Sequence, residues 1–158
     1  MPPARRHIRL TFIATGESVV AEMLDDEAPT VCRLMWDRLP LEGGLLHGQY
    51  SGAEVFMLLD DPRPAPAENQ AQLPLPGEIY YFSEPGGNVT SGAGLVAEIC
   101  IVYGRGVVLR GPEGVPGHAS LFARIPGDWK YDWVDFAQAC RRVRREGSQR
   151  LRIERIES

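Results

Sequence analysis

Leu95-Val-Ala-Glu-Ile-Cys-Ile-Val-Tyr103 carries one charge among aliphatic and aromatic residues. Side chains of this kind suit a pleated, buried surface, so the run reads as a strand. Gly77-Glu-Ile-Tyr-Tyr-Phe82, Val107-Val-Leu109 and Ala119-Ser-Leu-Phe-Ala-Arg-Ile125 read the same way, with glycine-rich turns between them. Several short strands in succession predict a barrel or a sandwich.

Working outward toward the amino terminus, Ile8, Leu10 and Phe12 alternate with Arg9 and Thr11. Thr15-Gly16-Glu17 breaks the pattern and Ser18 to Leu24 resumes it, which predicts a β-hairpin. Asp25 and Asp26 are placed to accept bonds from a helix start, and Pro29 fits a first turn. Val31, Leu34, Met35 and Leu39 then form one apolar stripe before Pro40 stops the helix. Val55 to Leu59 follows as a strand, and the prolines of residues 61–76 predict a long loop without regular pairing.

Toward the carboxyl terminus, Asp132 is expected to cap a second helix. Trp133, Phe136, Ala137, Cys140 and Val143 mark its buried face and Gly147 suits its end. Arg141, Arg142, Arg144 and Arg145 lie over the negative end of the helix dipole, which explains them without a polyanionic partner. Leu151 and Ile153 alternate with charged neighbours, as in a closing strand that pairs with the first one.

The 158 residues, 44% hydrophobic, suffice for one compact domain spanning 1–158. A formal charge of -4 offers no general attraction to nucleic acid or anionic lipid. Cys32, Cys100 and Cys140 form no Cys-x-x-Cys pair and sit among apolar neighbours, so reduced, buried thiols are expected. There is no signal-peptide core and no run long enough to span a membrane, and a cytoplasmic location is the expectation.

The order of elements resembles the cyclophilin fold, a closed eight-stranded β-barrel capped by two α-helices. Asp25-Asp-Glu-Ala-Pro-Thr-Val31 and Leu46-His47 are similar to the acidic-Ala-Pro-x-Thr-Val and Phe-His stretches of cyclophilins, and Phe122-Ala-Arg-Ile-Pro-Gly127 to their approach to the second helix. His47, Ser51-Gly52, Pro76-Gly77-Glu78-Ile79, Glu98 to Gly104, Gly117-His118 and Glu146-Gly147-x-Gln149 resemble an uncharacterised bacterial family of cyclophilin-like proteins, the domain of unknown function 3830. The resemblance implies a mainly β, cyclophilin-like barrel and supplies no reaction. Where true cyclophilins carry an arginine after Phe-His, this chain has Gly48, so prolyl isomerase activity is the minor reading.

His47-Gly-Gln-Tyr-Ser-Gly-Ala-Glu54 is the densest run of usable chemistry. The favoured expectation is a pocket for a small polar or acidic molecule, lined by His47, Tyr50, Ser51, Glu54, Tyr81, Tyr103 and His118. A second is a hydrolase or isomerase with His47 as general base and Glu54 orienting it. A third is an assembly module in which residues 61–76 and the Trp129 region bury against another copy, making a homo-oligomer. His47, Glu54 and His118 lack the spacing of a helical metal motif, so neither a metal nor a cofactor is expected. Ser51 lacks the Gly-x-Ser-x-Gly context of an α/β-hydrolase and reads as a turn residue. Gly86 to Gly94 reads as a hairpin flap, with Asn88-Val-Thr90 a glycosylation triplet that a cytoplasmic chain would not use.

Overall fold

The computed structural model describes residues 4–85, 95–110 and 117–157. The glycine-rich stretch expected to form a flap, with its Asn88-Val-Thr90 triplet, lies outside them. Nine strands and two helices alternate as β1 (His7–Phe12), β2 (Ser18–Met23), α1 (Pro29–Arg38), β3 (Leu41–His47), β4 (Glu54–Leu58), β5 (Gln70–Ala71), β6 (Glu78–Pro85), β7 (Leu95–Val102), β8 (Ala119–Arg124), α2 (Val134–Glu146) and β9 (Gln149–Ile156). The strands run β2-β1-β9-β3-β4-β7-β6-β8, and β8 returns to β2, closing an eight-stranded antiparallel barrel. Short β5 continues along the edge of β8 that β2 leaves open.

Period-two alternation drives this closure. Ile8, Leu10 and Phe12 are buried, as are Val19, Ala21 and Met23 opposite them, while the residues between face outward. Burying that apolar set is the main stabilising term. The hollow between Leu10, Met35, Ile99 and Phe122 leaves no room for a water molecule, so the barrel interior is a packed core. Helix α1 stands over one end with Val31, Cys32 and Met35. Helix α2 closes the other, where Phe136 meets Phe12 edge to face at 5.2 Å. All three cysteines are free and buried. No helix among the described residues is long and apolar enough to cross a membrane.

Several local expectations are corrected. Asp25 does not cap α1; it binds Arg6, and the amides of Thr30 and Val31 donate instead to the Glu68 carboxylate, 3.2 and 2.8 Å away. Asp132 does not cap α2, because its carboxylate is taken by the amide of Asp128. Val107 to Leu109 pairs with no strand and lies extended over the outer face of the sheet, against Tyr80, Cys100 and Val102. The proline-rich segment contributes β5, which the sequence pattern did not predict. Strand β3 also escaped prediction, since its Gly43-Gly44 reads as a break. A Cβ on Gly43 would come within 2.8 Å of the Met57 side chain, which lies over this position and favours glycine there.

Candidate functional site

His47 ends β3 and Glu54 begins β4, so the two flank one hairpin. Register decides where each points. His47 pairs with Val55, whose side chain is in the barrel core, and Glu54 pairs with Val102, whose side chain belongs to the outer apolar layer. Paired residues share a face and neighbours alternate, so His47 and Glu54 project to opposite sides of the sheet. The expected base and orienter are therefore not partners.

On the inner side, His47 meets Tyr103. Its Nδ1 lies 2.8 Å from the carbonyl oxygen of Gly48 and its Nε2 lies 2.6 Å from the Tyr103 hydroxyl. A carbonyl only accepts, so Nδ1 carries the proton, and in the neutral ring Nε2 accepts from the phenol. The rings meet edge to face with centroids 5.7 Å apart. Tyr103 is buried and His47 half-buried. Burial pushes the Tyr103 phenol up, and the positive charges of Arg141, Arg144 and Arg145 on α2 act on it in the opposite sense. These arginines are exposed, and none makes an ion pair with a described residue. Their i, i+3, i+4 spacing places them on one helix face, a signal readable in the sequence. Arg142 lies off that face and binds Glu17 at 2.5 Å.

On the outer side, Ser51 donates to Glu54 Oε1 at 2.5 Å, and both residues are buried. The other carboxylate oxygen, Oε2, is buried without a hydrogen-bond partner. Burial pushes the Glu54 carboxyl up, against the hydrogen bond of Ser51 and the charge of His47. Beneath it the Cys100 thiol is held well above its usual range, first by burial and then by the Glu54 and Glu98 carboxylates. Gly48 is required by this pair, because a Cβ there would stand 2.5 Å from Ser51 Oγ and 2.7 Å from Glu54 Oε1. A side chain at position 48 would therefore have to displace the Ser51–Glu54 pair.

The remaining expected residues lie elsewhere. Tyr50 is 62% exposed on the hairpin loop. Tyr81 is buried and donates to the carbonyl of Arg63 toward the α1 end. His118 is exposed. Through the partners Val55, Ile101, Ile79 and Ala123, His47 lies level with Ala123, five residues from His118. That offset alone is about 16 Å along the strands. The seven residues do not line one pocket, and no group of three potential metal ligands forms among the described residues.

Residues 10–154 match the family model described as "Protein of unknown function (DUF3830)". The chain belongs to this family. No curated protein matches it in sequence. Among solved structures, this DUF3830 chain is similar to McbB, described in complex with tryptophan, with a TM-score of 0.71 and 17% identity over 96% of this chain and 45% of that one. The chain thus spans under half the length of McbB. It is also similar to the hypothetical protein AF2241 from Archaeoglobus fulgidus, with a TM-score of 0.56 and 17% identity over 99% of this chain and 100% of that one. At these identities the likeness is one of fold.

Proposed function

We propose that the protein binds a small acidic molecule, a carboxylate or phosphate, at the barrel end formed by His47 and Tyr103 under Arg141, Arg144 and Arg145. The observation that carries this reading is a half-buried, hydrogen-bonded imidazole and phenol in the field of three cations without ion-pair partners among the described residues. Partial burial strengthens each charge-assisted bond, and the packed barrel beneath supplies a rigid floor. That McbB is described with tryptophan, a carboxylate-bearing molecule, agrees with a small-molecule role for the fold.

Titration with succinate and with inorganic phosphate by calorimetry tests the reading. At least one should bind saturably, weaken as salt rises, and lose about tenfold or more in affinity in Arg144→Glu/Arg145→Glu and in His47→Ala. Failure of both anions to bind, or binding indifferent to these variants, would refute it.

A second reading is catalysis with His47 Nε2 as general base. The imidazole tautomer favours it, since Nδ1–H is already fixed by Gly48 and Nε2 is the free base once Tyr103 turns to a substrate. In that reading the orienting group is the Gly48 carbonyl, with Glu54 excluded by its position on the other face.

A further inference from the structure

The seam between β2 and β8 is closed over only part of its length. The amide of Phe12 donates to Glu17 and that of Met23 to Arg6, so the odd-numbered residues of β2 direct their backbone groups at β1. Ser18, Val20 and Glu22 therefore direct theirs at the opposite edge. There β8 takes Glu22 through its pair with Arg124, and two further steps of that register would set Val20 against Pro126. Proline has no N–H to give, the Ile125 amide donates to Gly77 instead, and the chain turns away at Gly127, whose φ is 90°. The backbone groups of Ser18 and Val20 are left without a backbone partner among the described residues.

An open groove of about 430 Å³ runs along this free edge, bounded by Ser18 to Val20 on one side and by Ile125, Pro126 and residues 131–136 on the other. Its far wall is fixed, since Asp132 accepts from the Asp128 amide and the amides of Tyr131 and Asp132 donate to the Asp128 carbonyl. Val20, Tyr131 and Val134 are exposed along it. Asp132 and Asp135 line the groove, and no lysine or arginine does. The helix dipole accounts for Asp135 in the first turn of α2, but not for an open strand edge across from it. Edge strands are ordinarily blunted by lysine, proline or a bulge, and Ser18-Val-Val-Ala-Glu-Met23 has none of these.

We infer that the groove takes an extended peptide, basic and apolar in alternation, which adds to β2 as a strand beside Ser18 and Val20. The main chain of such a peptide supplies the donors and acceptors that β8 does not, which is recognition by strand addition. A cation on it meets Asp132 or Asp135, and a branched apolar side chain opposite Val20 forms a cross-strand pair. From Ser18 to Ala21 the free edge is about 13 Å long, room for a segment of about four residues. A second copy of this chain is a poorer occupant, since its formal charge of -4 makes it acidic overall and opposes the two carboxylates.

The probe is acetyl-Lys-Val-Lys-Val-Lys-amide, titrated into the full chain by calorimetry, with amide hydrogen exchange followed at Val20. It should bind saturably, weaken as salt rises, and slow exchange of the Val20 amide by about tenfold or more. The same peptide N-methylated at every backbone amide, and a version with glutamate for lysine, should each lose affinity by about tenfold or more. Val20→Pro removes a donor that serves no ladder, so the barrel should stay folded and bind the peptide about tenfold more weakly; Asp135→Lys should do the same through charge. No saturable binding, a Val20 amide that exchanges equally fast with and without the peptide, or acidic and methylated peptides as tight as the parent would overturn the assignment. Protection of Val20 that rises with protein concentration alone would give the edge to a second copy and overturn it too. The peptides are cationic and read at the start of α2, whereas succinate and phosphate are read under Arg144 and Arg145, so failure here and failure there are separate results.

Discussion

Glu54 keeps one carboxylate oxygen bonded to Ser51 and leaves the other without a partner in a buried layer. Water would solvate both in the unfolded chain, so folding disfavours the charged form. The consequence for pH has a definite sign. A carboxyl whose folded value lies above its ordinary 4.5 helps stability below that value. The benefit is lost as pH rises through the folded value, because the unfolded chain then releases the proton more readily. Glu54→Gln keeps the shape and an acceptor for Ser51 and removes the titration. Its unfolding free energy should therefore rise relative to the parent chain as pH increases from 4 to 8, read from paired denaturation curves; a difference that stays constant over this range would count against a buried, proton-holding Glu54.

At the scale of elements, helix α1 depends on a residue far from it in sequence. Its Ala28 cap position offers no side-chain bond, and Glu68 in the proline-rich loop takes the free amides of Thr30 and Val31. A carboxylate at that position satisfies two donors and also opposes the helix dipole. Glu68→Ala should destabilise the protein by about 1 kcal/mol, the usual worth of a cap, and equilibrium urea unfolding would measure it. The same example marks what a linear reading can reach. Strands with period-two alternation, such as Ile8 to Phe12 and Leu151 to Ile153, and the stripe Phe136, Ala137, Cys140 and Val143 declare themselves locally. Strand β3 does not, because its glycines answer to Met57 and Ser148 across the sheet. Nor does the pairing of His47 with Tyr103, 56 residues apart, which follows from the register of β3, β4 and β7. Proximity in sequence even misleads here, because a hairpin turn and one step of alternation send His47 and Glu54 to opposite faces.

For the molecule as a whole, closure is uneven around the barrel. Strands β6 and β7 pair through seven residues each, from Ile79↔Ile101 to Pro85↔Leu95, whereas β2 and β8 meet through two pairs, Glu22↔Arg124 and Met23↔Ala123. The seam is reinforced by the amide of Leu24 donating to Phe122 at 2.7 Å and by Arg124 with Glu22 at 2.8 Å, the latter an exposed ion pair of small worth. Opening at β2–β8 breaks few backbone bonds, while opening anywhere along β6–β7 breaks many at once. Local stability follows that count, so the Leu24 amide should exchange with deuterium about tenfold or more faster than the Cys100 amide in the middle of β7. Equal protection at the two positions would mean that the barrel opens only by global unfolding, with its narrow seam as firm as its widest ladder.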